Sequence, residues 1–155
     1  QEKEDVVDTV KDMLDAKGRD IWSISPSKSV YQAIELMAEK EIGALPVLDD
    51  SGALSGIVSE RDYARKVILK NKVASEVTIE KIMTRAVISI DENSTIENCM
   101  FLMSANEIRH LPVVVEGRLV GIITVGDLLK FNLKQKSTEI RNLEDYILDE
   151  TGGSG

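Results

Sequence analysis

The chain has 155 residues, of which 43% are hydrophobic and 30% are charged, and its net charge is −8. This length supports one compact domain with its own core, and the composition is that of a globular protein. The acidic charge argues against nucleic acid and against an anionic membrane surface as partners, because both require a basic face. No apolar run approaches the roughly 18 residues that a spanning helix needs, so we expect no membrane partner.

The chain has one cysteine and one histidine, and neither indicates a catalytic site. Cys99 is the one cysteine, which excludes an intramolecular disulfide, is typical of a reducing compartment, and favours a small core residue over a nucleophile. His110 is the one histidine and has no Cys or His partner at metal-ligand spacing, so no metal site is predicted. A contact to a phosphate or base and a plain, partly buried histidine both stay open for His110. We expect a trimmed start at Gln1 and a tag or disordered tail at 151–155.

Two segments of the chain carry the same motifs. Leu45-Pro46-Val47 returns as Leu111-Pro112-Val113, 66 positions later. The stretch Gly56-Ile57-Val58-Ser59-Glu60-Arg61-Asp62 likewise returns as Gly121-Ile122-Ile123-Thr124-Val125-Gly126-Asp127. This period is too long for a solenoid unit and too short for two ordinary domains. Two half-domains that share a core and enclose a cleft are therefore predicted.

Each repeat is predicted to contain the same elements in the same order, here taken along the chain. Short helices open at Thr9 and Thr78 as N-caps, and short strands follow at Ile21–Ile24 and Ala86–Ile90. Amphipathic helices then begin at Val30 and Ile96. Apolar strands come next at Ala44–Leu48 and Leu111–Val115, with return strands at Leu54–Val58 and Leu119–Ile123 and closing helices at Asp62–Leu69 and Asp127–Leu133. The predicted fold class is α+β, with two β-α-β-β-α repeats.

The domain boundaries follow from this alignment. Repeat 1 is predicted at 8–70, a polar linker at 71–77 and repeat 2 at 78–134. A terminal helix is predicted at 137–150, and its apolar side is expected to pack on the core or on a second subunit.

The candidate site lies where each duplicated strand runs into its closing helix. Ser59-x-x-Asp62 and Thr124-x-x-Asp127 fit a helix capping box, and Thr9-x-x-Asp12 fits it equally well without any further role. The motifs that end at Asp62 and Asp127 differ from the one at Thr9, because each of them follows a strand beginning with Gly. Each lies at a junction where backbone N–H groups favour anions. An Asp there is placed to accept hydrogen bonds from a diol such as ribose, so one residue can serve as both cap and ligand.

Basic residues cluster locally despite the acidic total. Arg61, Arg65 and Lys66 flank the first Asp, and Arg109 precedes the second Leu-Pro-Val motif. Such a cluster suits a polyphosphate. A solvated helix face near the C-terminal end of the first closing helix is the alternative explanation for Arg65 and Lys66.

Each repeat resembles a cystathionine-β-synthase-type (CBS) domain, and the pair resembles a Bateman module over roughly residues 8–132. The resemblance rests on Gly43-Ala44-Leu45-Pro46, on Arg109-His110-Leu111-Pro112 and on Gly-x-x-[Ser/Thr]-x-x-Asp in both halves. It implies a CBS-domain pair with a central inter-repeat cleft, assembled as a homodimer. More narrowly, the chain is similar to stand-alone two-CBS proteins of bacteria and plant organelles, so we expect a bacterial cytoplasmic location, or an organelle if a targeting segment was removed.

The resemblance also implies an adenine-nucleotide ligand: AMP, ATP, NAD(H) or S-adenosylmethionine. Asp62 or Asp127 would take the ribose. Adenine would lie near Ser23, Ile24, Gly43, Ala44, Leu45 and Val58 at one site, and near Ile88, Ser89, Arg109, His110, Leu111 and Ile123 at the other. The predicted nucleotide-binding set also includes Pro46, Ser59, Arg61, Arg65, Lys66, Pro112 and Thr124. Because Arg109 replaces Gly43 and Gly126 replaces Arg61 between the copies, the two sites are expected to differ.

The function expected from the sequence is regulatory and non-catalytic. A module that binds an adenine nucleotide would sense energy or redox state and modulate an unidentified partner protein. The alternative is a constitutive dimerisation or protein-interaction module with a vestigial cleft. An enzyme acting on a nucleotide is the third reading, but no base and nucleophile pair and no metal cluster is evident.

Overall fold

The computed structural model describes residues 8–152, and the side chains of 8–137 and 139–144. Its helices are α1 (Val10–Lys17), α2 (Val30–Lys40), α3 (Glu60–Lys66), α4 (Ile96–Asn106) and α5 (Val125–Gly152), with 3₁₀ turns at Ile68–Lys70, Ala74–Glu76 and Ile79–Lys81. Its strands are β1 (Ala44–Leu48), β2 (Leu54–Ser59), β3 (His110–Val115) and β4 (Arg118–Thr124). The predicted α+β class is confirmed.

Each repeat is built around one antiparallel hairpin. Pro46 pairs with Ile57 in β1–β2, and Pro112 pairs with Ile122 in β3–β4. The two ladders therefore match residue for residue at the motifs that define the duplication. Both predicted hairpins are confirmed, and α2 and α4 begin at Val30 and Ile96 as predicted.

Two predicted strands are reduced to single bridges. Ile24 bridges Val47, and Ile90 bridges Val113, both in parallel. The predicted strands at Ile21–Ile24 and Ala86–Ile90 are therefore wrong in extent. The chain turns into α2 or α4 within a few residues of each bridge, so only one residue of each segment reaches the hairpin.

The predicted N-cap at Thr78 is also wrong, whereas the one at Thr9 is confirmed. Thr9 and Asp12 form a complete capping box on α1. Thr78 instead precedes a 3₁₀ turn without a side-chain cap, and its buried hydroxyl has no partner in the described part of the chain. Backbone carbonyls of Lys28 and Pro26 accept from the N–H groups of Ile79 and Glu80, so a capping oxygen is not needed.

The helical segment in front of each repeat packs on the other repeat. Leu14 of α1 is fully buried in the second core beside Leu111 and Ile123, whereas Ile79 and Ile82 are buried in the first core. Each helical segment is thus exchanged between the repeats, and backbone hydrogen bonds fix both of them in place. Val10 N–H donates to Ser94 O, and Val30 N–H donates to Val77 O. Val77, predicted as linker, thus belongs to the packing of the first repeat. The repeats are interlocked in space although they are consecutive in sequence. Their buried side chains form two core clusters, so the predicted single shared core is wrong.

This interlocking explains the glycine that opens each repeated motif. A Cβ on Gly121 would lie 2.6 Å from Cδ2 of Leu14, and a Cβ on Gly56 would lie 2.9 Å from the carbonyl oxygen of Thr84. Both distances are shorter than real Cβ contacts allow. The motif therefore requires glycine where the exchanged segment crosses the hairpin.

The end of the chain forms one continuous helix rather than two. The predicted closing helix Asp127–Leu133 and the predicted terminal helix at 137–150 both lie within α5. Lys134, Gln135 and Lys136 between them are strong helix formers, so nothing interrupts the helix. Of the tail predicted at 151–155, Thr151 and Gly152 end α5, and residues 153–155 lie outside the described residues, as do residues 1–7.

Candidate functional site

Both duplicated motifs form capping boxes. Asp62 Oδ2 accepts from Ser59 N–H at 2.9 Å, and Asp62 N–H donates to Ser59 Oγ at 3.2 Å. In the second repeat, Asp127 Oδ2 accepts from Thr124 N–H at 2.9 Å, and Asp127 N–H donates to Thr124 Oγ1 at 3.1 Å. These bonds hold each carboxylate rigidly at the strand-to-helix junction.

A lysine forms a salt bridge with each of these carboxylates, but the two lysines come from different parts of the fold. Lys66, one turn along the same helix, lies 3.0 Å from Asp62 Oδ1 and also donates to Ile82 O at 2.7 Å. Lys17 reaches Asp127 Oδ2 at 2.6 Å from α1, and it donates to Ile122 O at 2.7 Å. Asp127 is thus covered by the exchanged helix, whereas Asp62 is held from within its own helix.

A cavity of about 620 Å³ lies between the two repeats on the Asp62 side. Its size falls in the range of small-molecule sites. Four of its side chains are basic and three are acidic, so it is locally positive in a chain whose net charge is −8. It is lined by Gly43, Ala44, Ile57, Ser59, Glu60, Arg61, Asp62, Arg65, Lys66, Thr84, Ala86, Val87, Ile88, Glu107, Ile108, Arg109 and His110.

Ten of the predicted binding residues line this cavity, and they come from both repeats. Ile88, Arg109 and His110, assigned by resemblance to the second site, lie here together with Asp62. This regrouping arises because the edges of the two repeats face each other across the cleft. The other predicted residues are not among its lining residues: Ser23, Ile24, Leu45, Pro46, Val58, Ser89, Leu111, Pro112, Ile123, Thr124 and Asp127.

The predicted residues outside the cavity fall into three groups. Leu45, Pro46, Val58, Leu111, Pro112 and Ile123 are buried in the two cores. Ser23 and Ser89 are exposed beside the single-residue bridges of Ile24 and Ile90. Thr124 and Asp127 form the second junction, which Lys17 covers. The burial of the six hairpin residues agrees with the apolar character of the predicted strands.

Seven lining residues were missed by the sequence analysis: Ile57, Glu60, Thr84, Ala86, Val87, Glu107 and Ile108. Thr84 reaches the cavity because it bridges Ile57 on β2, with Ile57 N–H donating to Thr84 O at 3.0 Å. Glu107 ends α4 in a left-handed conformation just before Arg109. Glu60 and Ile108 could have been proposed as lining residues only because they are adjacent in sequence to Arg61 and Arg109.

His110 lies where the two repeats meet. Its Cε1 is 3.8 Å from the position that a Cβ on Gly43 would occupy. Burial lowers the pKa of His110 from 6.5, and the positive charge of Arg109 lowers it further, while Asp127 acts in the opposite direction. A neutral imidazole therefore faces the cavity at neutral pH.

Other reactive groups do not form a second centre in the described part of the chain. Cys99 is buried in the second core as predicted, and burial raises the pKa of its thiol to about 11. Within residues 8–152, no three His, Cys, Asp or Glu side chains cluster so that they could hold a metal ion. In the same range, none of the helices is long and apolar enough to cross a bilayer.

Comparison with known protein families decides the relationship. The family described as "CBS domain" matches residues 9–69 and again residues 79–134. The chain belongs to the CBS-domain family. Among its relatives, "CBS domain-containing protein CBSX3, mitochondrial" of Arabidopsis thaliana is 30% identical over 148 residues, which are 90% of this chain and 71% of that protein. The duplication recognised in the sequence is thus a tandem CBS pair.

Solved structures of CBS-domain pairs match the same fold. The CBS domain pair of protein MJ0100, solved in complex with 5′-methylthioadenosine and S-adenosyl-L-methionine, is 31% identical with a TM-score of 0.75, covering 84% of this chain and 99% of that one. CBSX2, solved in complex with AMP, is 29% identical with a TM-score of 0.70, covering 83% and 98%. Both of these related proteins hold ligands that contain adenosine.

Proposed function

We propose that this CBS pair is a non-catalytic regulatory module that binds an adenine nucleotide in the cavity between its repeats. The main support for this proposal is the position of Asp62, whose carboxylate is fixed by Ser59 at the wall of a cavity of about 620 Å³. In this arrangement the carboxylate accepts hydrogen bonds from the ribose hydroxyls. The AMP and S-adenosylmethionine complexes of related CBS pairs support the adenosine class of ligand.

Regulation would follow from the position of the cavity. Gly43 and Arg61 come from the first repeat, and Ile88 and Arg109 come from the second. A ligand that contacts both repeats favours one relative placement of them, and only such a difference in affinity shifts the equilibrium between two states. We propose that this shift is what a partner protein reads.

Isothermal titration with AMP, ATP, NADH and S-adenosylmethionine tests the proposal. At least one of these ligands is expected to bind below millimolar concentration. Asp62→Ala should weaken that binding at least tenfold, and should cost about 0.5–2 kcal/mol of stability through the lost cap. Absence of any binding would refute the proposal.

Asp12→Ala is the matched control. Asp12 caps α1 with the same pair of bonds to Thr9, but it does not line the cavity. This variant should lose a cap without losing nucleotide affinity. An Asp62→Ala variant that is destabilised yet binds nucleotide normally would show that Asp62 is only a helix cap.

The alternative function is a constitutive dimerisation module, and exposed apolar side chains favour it. Ile68 is 51% exposed and Leu133 is 66% exposed, and they occupy equivalent positions after the two Asp motifs. Tyr31 and Phe101 are also more than half exposed. Sedimentation equilibrium with and without AMP separates the functions: a homodimer that forms regardless of nucleotide, in a chain that binds none, supports the alternative.

A further inference from the structure

A second, smaller cavity adjoins the one that holds Asp62. Its volume is about 350 Å³, and Arg61, Glu107, Ile108 and Arg109 line both cavities. Val125, at the start of α5, lines the smaller cavity alone. The two cavities therefore form one groove with two chambers, and the two arginines stand where the chambers meet.

The arginine side chains of this groove have no partner within residues 8–137 and 139–144. Among the side chains that the structure describes, Arg61, Arg65 and Arg109 form no salt bridge and no hydrogen bond. Lys66, the fourth base of the groove, is by contrast held by Asp62 and Ile82 O. A free guanidinium offers paired donors that match phosphate oxygens.

The backbone holds the two shared arginines on opposite repeats. Arg61 lies in the first turn of α3, whose start is fixed by the bond from Glu60 N–H to Gly43 O. Arg109 immediately precedes β3, and its carbonyl accepts from Val125 N–H at 3.0 Å. A group bound by both side chains would connect the two repeats.

We propose that this groove selects adenine nucleotides with at least two linked phosphates, and that Arg61 and Arg109 bind this pyrophosphate from the two repeats. The proposal rests on the proposed function, because Asp62 in the larger chamber marks the ribose end of the ligand. The smaller chamber then holds the phosphates beyond the first. Arg65 adds a third guanidinium to the larger chamber.

The test is titration with adenosine, AMP, ADP and ATP at constant ionic strength, with EDTA present. Two additional charge-assisted hydrogen bonds, partly offset by lost hydration, should make ADP bind roughly 10- to 100-fold tighter than AMP. Arg61→Met and Arg109→Met should each reduce the ratio of ATP affinity to AMP affinity by about tenfold or more.

Two further variants make this test specific. Arg118→Met removes the same charge from the exposed start of β4 and should leave the affinity ratio unchanged. Glu107→Gln removes the one carboxylate that lines both chambers, and it should raise ATP affinity more than AMP affinity. Circular dichroism confirms that each variant is folded.

The outcomes separate the two proposals. Equal affinity for AMP, ADP and ATP overturns the pyrophosphate proposal and leaves the proposed function standing. Failure of all four ligands to bind overturns the pyrophosphate proposal, and the proposed function falls with it only if NADH and S-adenosylmethionine also fail to bind. Inorganic tripolyphosphate is the last arm: binding as tight as that of ATP would show a general polyanion site and would overturn the selection of adenine nucleotides.

Discussion

Asp62 and Asp127 occupy equivalent positions in the two repeats, yet their surroundings differ. Asp62 lines an open cavity, with Lys66 of its own helix beside it. Asp127 is covered by Lys17, which arrives from the exchanged helix α1. Both carboxylates are similarly shielded from solvent, with Asp62 13% and Asp127 17% exposed, so the two copies of the motif differ in what surrounds them: Asp62 lines the cavity, and Asp127 is paired with the exchanged helix.

The difference originates in the segments that cross between repeats. α1 extends over eight residues, and Lys17 at its end reaches both Asp127 and Ile122 O. The corresponding segment in front of the second repeat is only a 3₁₀ turn, Ile79–Lys81, after which Thr84 bridges Ile57 through its backbone. Duplicated sequence thus does not guarantee duplicated function, because each site depends on what the other repeat contributes.

The largest expected effect tests whether α1 truly completes the second core. Leu14 is fully buried there, so Leu14→Ala should destabilise the protein by about 2–5 kcal/mol. Gly121→Ala places a Cβ 2.6 Å from Leu14 Cδ2 and should cost about 1–3 kcal/mol. The double variant should cost less than the sum, because the new methyl group enters the space that Leu14 leaves. Urea unfolding measures all three.

Gly126→Ala serves as the control for the glycine substitution. The nearest atom to its added Cβ is Thr124 Oγ1 at 3.5 Å, an ordinary contact. Its stability should stay within about 0.5 kcal/mol of the wild type. Strict additivity of Leu14→Ala and Gly121→Ala would contradict the packing of α1 against the second hairpin.

A smaller effect tests the role of Lys17 beside Asp127. Lys17→Met should cost only about 0.2–1 kcal/mol, because the Lys17–Asp127 pair is partly exposed, and the loss should shrink as salt is added. If Lys17 keeps the second junction closed, titration should change from one nucleotide per chain to two. Lys11→Met, an exposed lysine on the same helix, controls for charge. Unchanged stoichiometry would mean that Lys17 is not what keeps a nucleotide away from Asp127.

The hairpins and the helices α2 and α4 were predictable because their patterning is local. Apolar segments on either side of a turn mark Ala44–Leu48 and Leu54–Ser59, and Ser29 begins α2 with a capping box. The strands predicted around Ile24 and Ile90 were too long, because apolar composition does not reveal how few residues have a strand partner. The continuous α5 was missed because a closing helix and a terminal helix differ only by the residues between them.

Ten of the seventeen residues that line the cavity were predicted from the sequence, but their grouping from both repeats was not. Asp62, Arg61 and Gly43 belong to one stretch of the alignment, and their proximity follows from the hairpin. That Ile88, Arg109 and His110 line the same cavity depends on how the repeats face each other. The role of Lys17 depends on the exchange of α1. Such contacts between distant segments are absent from the pattern within a single repeat.

The smallest effect concerns His110, which lines the same cavity as Asp62 and is influenced by the charge of Asp127. Because burial lowers the pKa of His110, the unfolded chain binds its proton more readily than the folded chain does. Stability from this group is therefore present above pH 6.5 and is lost as the pH falls through the folded pKa below that value. His110 is the only histidine, so His110→Asn should remove the loss of stability between pH 7 and 5.5 that urea unfolding detects. An unchanged loss in this variant would assign it to carboxylates, and would place His110 in surroundings as polar as those of the unfolded chain.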